Sequence, residues 1–366
     1  MKLKLACVLL AIVLAESFSS RCTAEEPATQ PGAPATQPTD EQLTRASVAG
    51  FRLDATQVHD LRQQIMKDPA DAAARAELLG YYMTAQPSAD DIKDRREQIL
   101  WMISNLPAAS YSASPDCEID PTSDPTGYKQ AYDLWMKQVD RAPQSEAVVG
   151  NAAQFVEFHD PAKAEELLGR AMASDPTNPQ WPEDLAHLHS MGLTARAPAD
   201  QQAKAKQALG ELEQSLALTP DPQEQYYLLS DLAKLAFTAG DAAKATLYAK
   251  RLLSEAKQLP FDWNYGNAIY TGNLILGRIA LANNDVAAAK TYLLAAAATP
   301  GSPQLNSFGP NVTLARDLLA RGERDTVLEF FQRCGKFWTM GADTLKQWTQ
   351  TVKSGGTPDW GPNLNY

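Results

Sequence analysis

From Leu274 to Cys334 the small and apolar residues run through one register twice. Gly277 and Ala315 are followed three residues later by Ala280 and Leu318, and eight later by an acid, Asp285 or Glu323. Four further on come Ala289 and Val327, and seven beyond those Ala296 and Cys334. The same ladder stands upstream as Ala233, Ala236, Asp241, Ala245 and Leu252, and again as Ala152, Phe155, Asp160, Ala164 and Ala171. Apolar positions at three, four and seven make one helical face, and an acid between two such faces reads as the cap of the second helix. The pattern predicts a repeated helical hairpin.

The rest of the chain fits around these units. Helices are predicted over Leu53–Met66, Ala72–Met83, Ile92–Ile103 and Tyr128–Val139, then through hairpins at 145–176, 181–218, 226–254, 267–299 and 308–336, with a last helix at Asp343–Val352. In the Asp160-Pro161 step, an acidic cap precedes a proline at the first helical position. Residues 107–125 hold four prolines and four serines, and read as an irregular insertion. No alternating or β-branched run has strand character. The expected fold is all-α, a right-handed α-solenoid over 51–366, closed by a capping helix and tail at 340–366 in which Trp360, Leu364 and Tyr366 fold back.

The first fifty residues read differently. Lys2 and Lys4 precede an apolar run, Leu5–Ala15, too short to span a bilayer, and Cys22-Thr23-Ala24 supplies small residues for cleavage. This is a signal peptide over 1–24. It implies an exported protein, periplasmic or extracellular; Arg21 sits badly for lipid attachment at Cys22, which disfavours a lipoprotein. Residues 25–50, with Pro-Ala-Thr-Gln-Pro at 27–31 and 34–38, read as an extended, disordered linker. Removing 1–24 changes the net charge from −11 to −13. That balance argues against a nucleic-acid partner and against an anionic membrane surface, and no segment after the signal is apolar enough to span a membrane.

Candidate chemistry is sparse. Cys117 and Cys334 survive cleavage; they are far enough apart in sequence to close a large stabilising loop, but Cys334 also sits at the ladder position of a small buried hydrophobe. His187 and His189 are two apart on a helix and cannot face one metal, while His59 and His159 are isolated. No metal motif, nucleophile elbow or phosphate loop is present, so no metal, cofactor or catalytic residue is assigned.

The small positions of the ladder, Leu276-Gly277, Ala289 and Ala296, with prolines at Pro176, Pro220 and Pro300 near the ends of second helices, resemble the tetratricopeptide repeat. The repeat lengths, 44 from Ala233 to Gly277 and 38 from Gly277 to Ala315, exceed that family's usual period. The resemblance implies that first helices line a concave groove and that the residue after each small position points into it. Those residues are Lys234, Arg278 and Arg316, with Tyr227, Ser230, Thr271 and Asn273 nearby. A row of cations in an acidic protein suits an acidic or carboxylate-terminated peptide. Alternatively, Asp231 and Asp317 simply pair with them at the surface. The functional expectation is an exported scaffold that binds a protein or peptide in its groove. Two others stay open: an extracytoplasmic enzyme using acids on a polymer, and a structural component of a cell-envelope complex.

Overall fold

The computed structural model describes residues 37–84, 88–193 and 196–364, and among them the chain is all-helical: seventeen α-helices and no strand. The signal segment and the start of the linker lie outside the described residues, as does Tyr366. The chain divides at Pro176 into two units.

The first unit begins inside the expected linker. Thr39 caps a helix α1, Asp40–Gly50, through a capping box in which Gln42 N–H donates to Thr39 Oγ1 and Thr39 N–H to Gln42 Oε1 at 2.9 Å. Residues 40–50 are therefore folded, not extended. Their apolar stripe is thin, Leu43, Ser47 and Gly50, because the helix packs by close approach rather than by bulk. Its partner is α3 (Ala72–Thr84). A Cβ on Gly80 would fall 1.9 Å from the Ser47 carbonyl oxygen, and one on Gly50 would fall 1.9 Å from that of Glu77. Two glycines thus let the two backbones touch.

Helices α2 (Ala55–Lys67), α4 (Ala89–Asn105), α5 (Pro125–Arg141), α6 (Glu146–Val156) and α7 (Pro161–Ser174) complete the unit. The 107–125 insertion is ordered by two 3₁₀ turns, Ser110–Ala113 and Pro115–Cys117, and reaches into the core. Tyr111, Cys117 and Ile119 are buried, and the Asp116 carboxylate accepts from Ser47 Oγ (2.5 Å) and Tyr111 Oη (3.1 Å). Asp124 caps α5 and pairs with Arg96 at 2.6 Å.

The second unit carries the regular ladder. Its hairpins are α8 (Gln180–Ser190) with α9 (Pro198–Leu218), α10 (Pro222–Thr238) with α11 (Ala242–Ala256), α12 (Tyr265–Ala282) with α13 (Val286–Ala296), and α15 (Thr313–Ala320) with α16 (Arg324–Cys334). Each also packs on the next: α9 on α10, α11 on α12, and first helix α10 on first helix α12. The ladder residues Ala233, Ala236, Ala245, Leu252, Ala289, Ala296, Ala315, Leu318 and Val327 are fully buried.

The turns share a mechanism. A left-handed residue, Gly240, Asn284 or Gly322, ends the first helix just before the acid. The amide of that acid then donates back to Ala236, Ala280 or Leu318, five residues earlier, closing the helix end. Asp241 and Asp285 go on to cap the second helix, each accepting from a backbone N–H at 2.9 Å. Asp160 does the same in the first unit. Glu323 departs from the expected role: it makes no side-chain cap and instead pairs with Lys290 at 2.6 Å, since its longer side chain reaches across to α13.

The tail packs on the last helices of the second unit. After α17 (Ala342–Lys353) the tail returns, and Trp360 packs on Trp348 and Phe331 with ring centres 5.4 and 6.1 Å apart. Asn363 fastens it, accepting from Val312 N–H at 2.9 Å and donating to the carbonyls of Pro310 and Phe308. The short α14 (Pro303–Phe308) fills the step before α15, and Asn311 Oδ1 accepts from Thr313 N–H at the start of α15.

Cys117 lies in the first unit and Cys334 in the second. Both are free thiols, each buried within its own unit, and burial pushes both up to where the thiolate is not formed near neutral pH.

Replacing Gly80 with Ala is expected to destabilise the protein by about 2 kcal/mol or more, because the clash is with backbone that cannot move aside. Gly169→Ala in α7, where a Cβ meets nothing within 4 Å, should stabilise by roughly 0.5–1 kcal/mol. Urea unfolding of both variants checks this, and a neutral Gly80→Ala would mean that α1 is not seated on α3.

Candidate functional site

Among the first helices of the second unit, α10 and α12 share a direct side-chain contact, and electrostatic influence reaches α8 and α15. The Glu183 carboxyl on α8 feels Asp231 and Glu224 on α10. Lys234 follows Asp231 by three residues and pairs with it at 3.0 Å. One turn on, Phe237 lies beneath the Arg278 guanidinium of α12, 4.2 Å from its ring centre. Arg278 in turn feels Asp317 and Arg316 on α15. Charge along this strip of first helices therefore runs from acidic at α8 and α10 to cationic at α12 and α15.

The three cations are not equivalent. Lys234 is bound to Asp231, and Arg316 pairs with Asp317 at 2.7 Å. Both pairs are solvent-exposed, where such contacts contribute little, and both match the surface-pairing alternative. Arg278 differs. It is half-buried, and among the described residues no carboxylate lies within ion-pair distance of it. Burial holds its pKa below the ordinary guanidinium value, Asp317 partly restores it and Arg316 opposes that. The charge remains, since an arginine stays protonated in proteins. A planar cation stacked on a ring and short of an anion is a prepared receptor for one.

The other sequence candidates divide between the strip and elsewhere. Tyr227 is half-buried on α10, donates to Asp262 Oδ2 and accepts from Gln223 Nε2, both at 2.8 Å, and lies 5.4 Å from the Trp263 ring. Burial and that bond to a carboxylate raise its phenol pKa. Ser230, one turn before Lys234, has a buried hydroxyl with no hydrogen-bond partner. Thr271 stands seven residues before Arg278 and so shares its face. Asn273 does not: two residues round the helix from Thr271, it donates to the Ile269 carbonyl of its own helix.

Sequence reasoning missed two groups. Glu183 is held largely out of water, and its pKa is pushed up to about 7, first by burial and then by Asp184, Asp231 and Glu224. Only the adjacency of Glu183 and Asp184, between Trp181 and Leu185, hinted at it. His189 belongs to the core, not to the surface, with Nδ1 2.7 Å from Glu211 on α9. Among the described residues, no set of side chains is placed to hold a metal ion, and no helix is long and apolar enough to cross a membrane.

The Glu183 shift has a signed consequence. The unfolded chain gives up this proton near 4.5, whereas the fold keeps it to about 7. Between those values the folded state binds more protons, so stability falls as pH rises from 4.5 toward 7 and then levels off. Glu183→Gln should remove that slope, raising the melting temperature by several degrees at pH 8 and leaving it almost unchanged at pH 4. Parallel pH profiles for the variant and the native protein would refute the assignment. Comparison with known proteins adds no name to this site: no family model matches the chain and no curated protein matches it significantly, so the tetratricopeptide resemblance stands on register and hairpin packing alone.

Proposed function

We propose that the second unit is a peptide-binding module of tetratricopeptide-like, right-handed stacking, anchored at Arg278. The observation that carries this reading is the state of that side chain: half-buried, spread over Phe237, and without a carboxylate of its own. A free C-terminal carboxylate, or that of an acidic side chain, matches the guanidinium fork and relieves a charge already partly stripped of water. The burial cost has been met in folding, so a ligand gains most of the interaction. Lys234 and Arg316, already engaged, add field but little contact energy.

Lys2, Lys4 and the apolar run Leu5–Ala15 support an exported location for this module. Stacked hairpins present long surfaces, which supports a scaffold role.

The test is a titration with two short fluorescent peptides of one sequence, one ending in a free carboxylate and the other in an amide. The carboxylate form is expected to bind roughly tenfold to a hundredfold more tightly, the worth of one or two charge-assisted hydrogen bonds. Arg278→Ala should erase that difference. Lys234→Ala and Arg316→Ala should each change it about twofold at most, because their charges are already offset. Equal binding of the two peptides by the native protein would remove Arg278 as the anchor.

A further inference from the structure

Aromatic rings gather in solvent at one edge of the second unit. Among the described residues four aromatic rings are well exposed, Phe158, Phe261, Trp263 and Phe308, and the last three stand in the loop before α12 and on α14. Apolar side chains scattered singly need no explanation, whereas several on one edge mark a binding surface. Two bonded amides join these rings. Asn267, four residues after Trp263 in the first turn of α12, donates through Nδ2 to Gln304 Oε1 at 3.1 Å. Gln304 in turn stands one helical turn before Phe308 on α14.

The edge is held rigidly from behind. Trp263 packs on Tyr227 with ring centres 5.4 Å apart, and Asp262 beside it accepts from Tyr227 Oη at 2.8 Å. A Cβ on Gly266 would fall 1.8 Å from the Gly301 carbonyl oxygen, so the start of α12 touches the turn leading into α14. Ser302 Oγ donates to Asn267 Oδ1 at 2.6 Å and fixes the way that amide faces. Both amides nevertheless keep unused donors. Among the described residues Gln304 Nε2 has no partner, and Asn267 Nδ2 uses one of its two N–H groups.

We propose that this edge binds a neutral polysaccharide. Trp263 and Phe308 stack on the C–H faces of sugar rings, Phe261 extends the platform, and the unused N–H groups of Asn267 and Gln304 donate to sugar hydroxyls. A sugar ring has an apolar face and a rim of hydroxyls, so it needs ring surface beside uncharged hydrogen-bonding groups. A purely apolar partner would strip water from the amides and give nothing back. A polyanion is repelled by the net charge of −11 and finds no cation among these side chains; the one carboxyl here, that of Asp262, is already engaged. Orientation fixed before binding spares the ligand the cost of ordering the site. The site is distinct from Arg278 and does not depend on it.

The experiment is electrophoresis of the full chain through native gels containing hydroxyethylcellulose, mixed-linkage β-glucan, arabinoxylan, galactomannan or dextran, with polygalacturonate as the charged control. At least one neutral polysaccharide should retard the native protein. Trp263→Ala and Phe308→Ala should each weaken that affinity about tenfold, the usual worth of a ring stacked on an aromatic side chain. Gln304→Ala should weaken it about fivefold. Phe158→Ala, which removes the exposed ring of the first unit, and Arg278→Ala should bind as the native protein does. Circular dichroism melts check folding. Phe261→Ala, which removes a ring lying wholly in water, keeps the test open should Trp263→Ala fail to fold, and should weaken binding about threefold. Retardation by no neutral polysaccharide, or by polygalacturonate alone, overturns the proposal. So does retention unchanged in the ring variants, or lost in Arg278→Ala. Self-association of the native chain that Trp263→Ala abolishes, with no retention in any gel, would give the rings to a protein contact and overturn it equally.

Discussion

Backbone-to-backbone approach at small residues is the constraint on which this structure depends. Gly50 and Gly80 let α1 and α3 touch where any side chain would strike a carbonyl, and at Gly277 an added Cβ would meet Leu314 at 2.4 Å. Gly266 sits against the Gly301 carbonyl in the same way. Helices this close bury much of their surface in neighbours rather than in a central core, which is how stacked hairpins gain stability. Alanine serves where slightly more room exists, as at Ala233, Ala245, Ala289 and Ala315, all fully buried.

Close stacking also brings charged side chains of successive first helices together. Phe237 reaches beneath Arg278 only because α10 and α12 pack directly on each other. The same proximity sets Arg316 and Asp317 near that arginine, and Asp231 and Glu224 near Glu183. Arg278 has no carboxylate within ion-pair distance among the described residues, and burial keeps Glu183 protonated until pH reaches about 7. Lys234 and Arg316, by contrast, are each paired with an aspartate of their own helix.

Much of the fold was legible because the ladder has a period and the turns have chemistry. Gly240-Asp241 and Asn284-Asp285 announce both the end of one helix and the cap of the next. α1 was not legible: its contact is made by glycine and serine, which look like linker composition, and its capping box at Thr39 and Gln42 lay within a proline- and threonine-rich stretch. The insertion at 107–125 reads as loop by composition, but Asp116 ties it to Ser47 and the Tyr111 amide ties it to Asp40, across 69 and 71 residues, links no local pattern encodes. At the strip, the register placed Lys234, Arg278 and Arg316, while their partners came only from the structure. Asp231 and Asp317 were visible as neighbours; the ring under Arg278 and the burial of Glu183 were not, because they depend on how one hairpin meets the next.

Hydroxyl-radical footprinting in the presence and absence of a carboxylate-terminated peptide tests the strip most directly, since it reads side-chain access residue by residue. Phe237 and Tyr227 should be protected by the peptide, while Leu247 on α11 and Phe158 between α6 and α7, both well exposed and off the strip, should oxidise as before. Protection of Leu247 or Phe158 with no change at Phe237 and Tyr227 would put the ligand elsewhere and contradict a binding face built from the first helices.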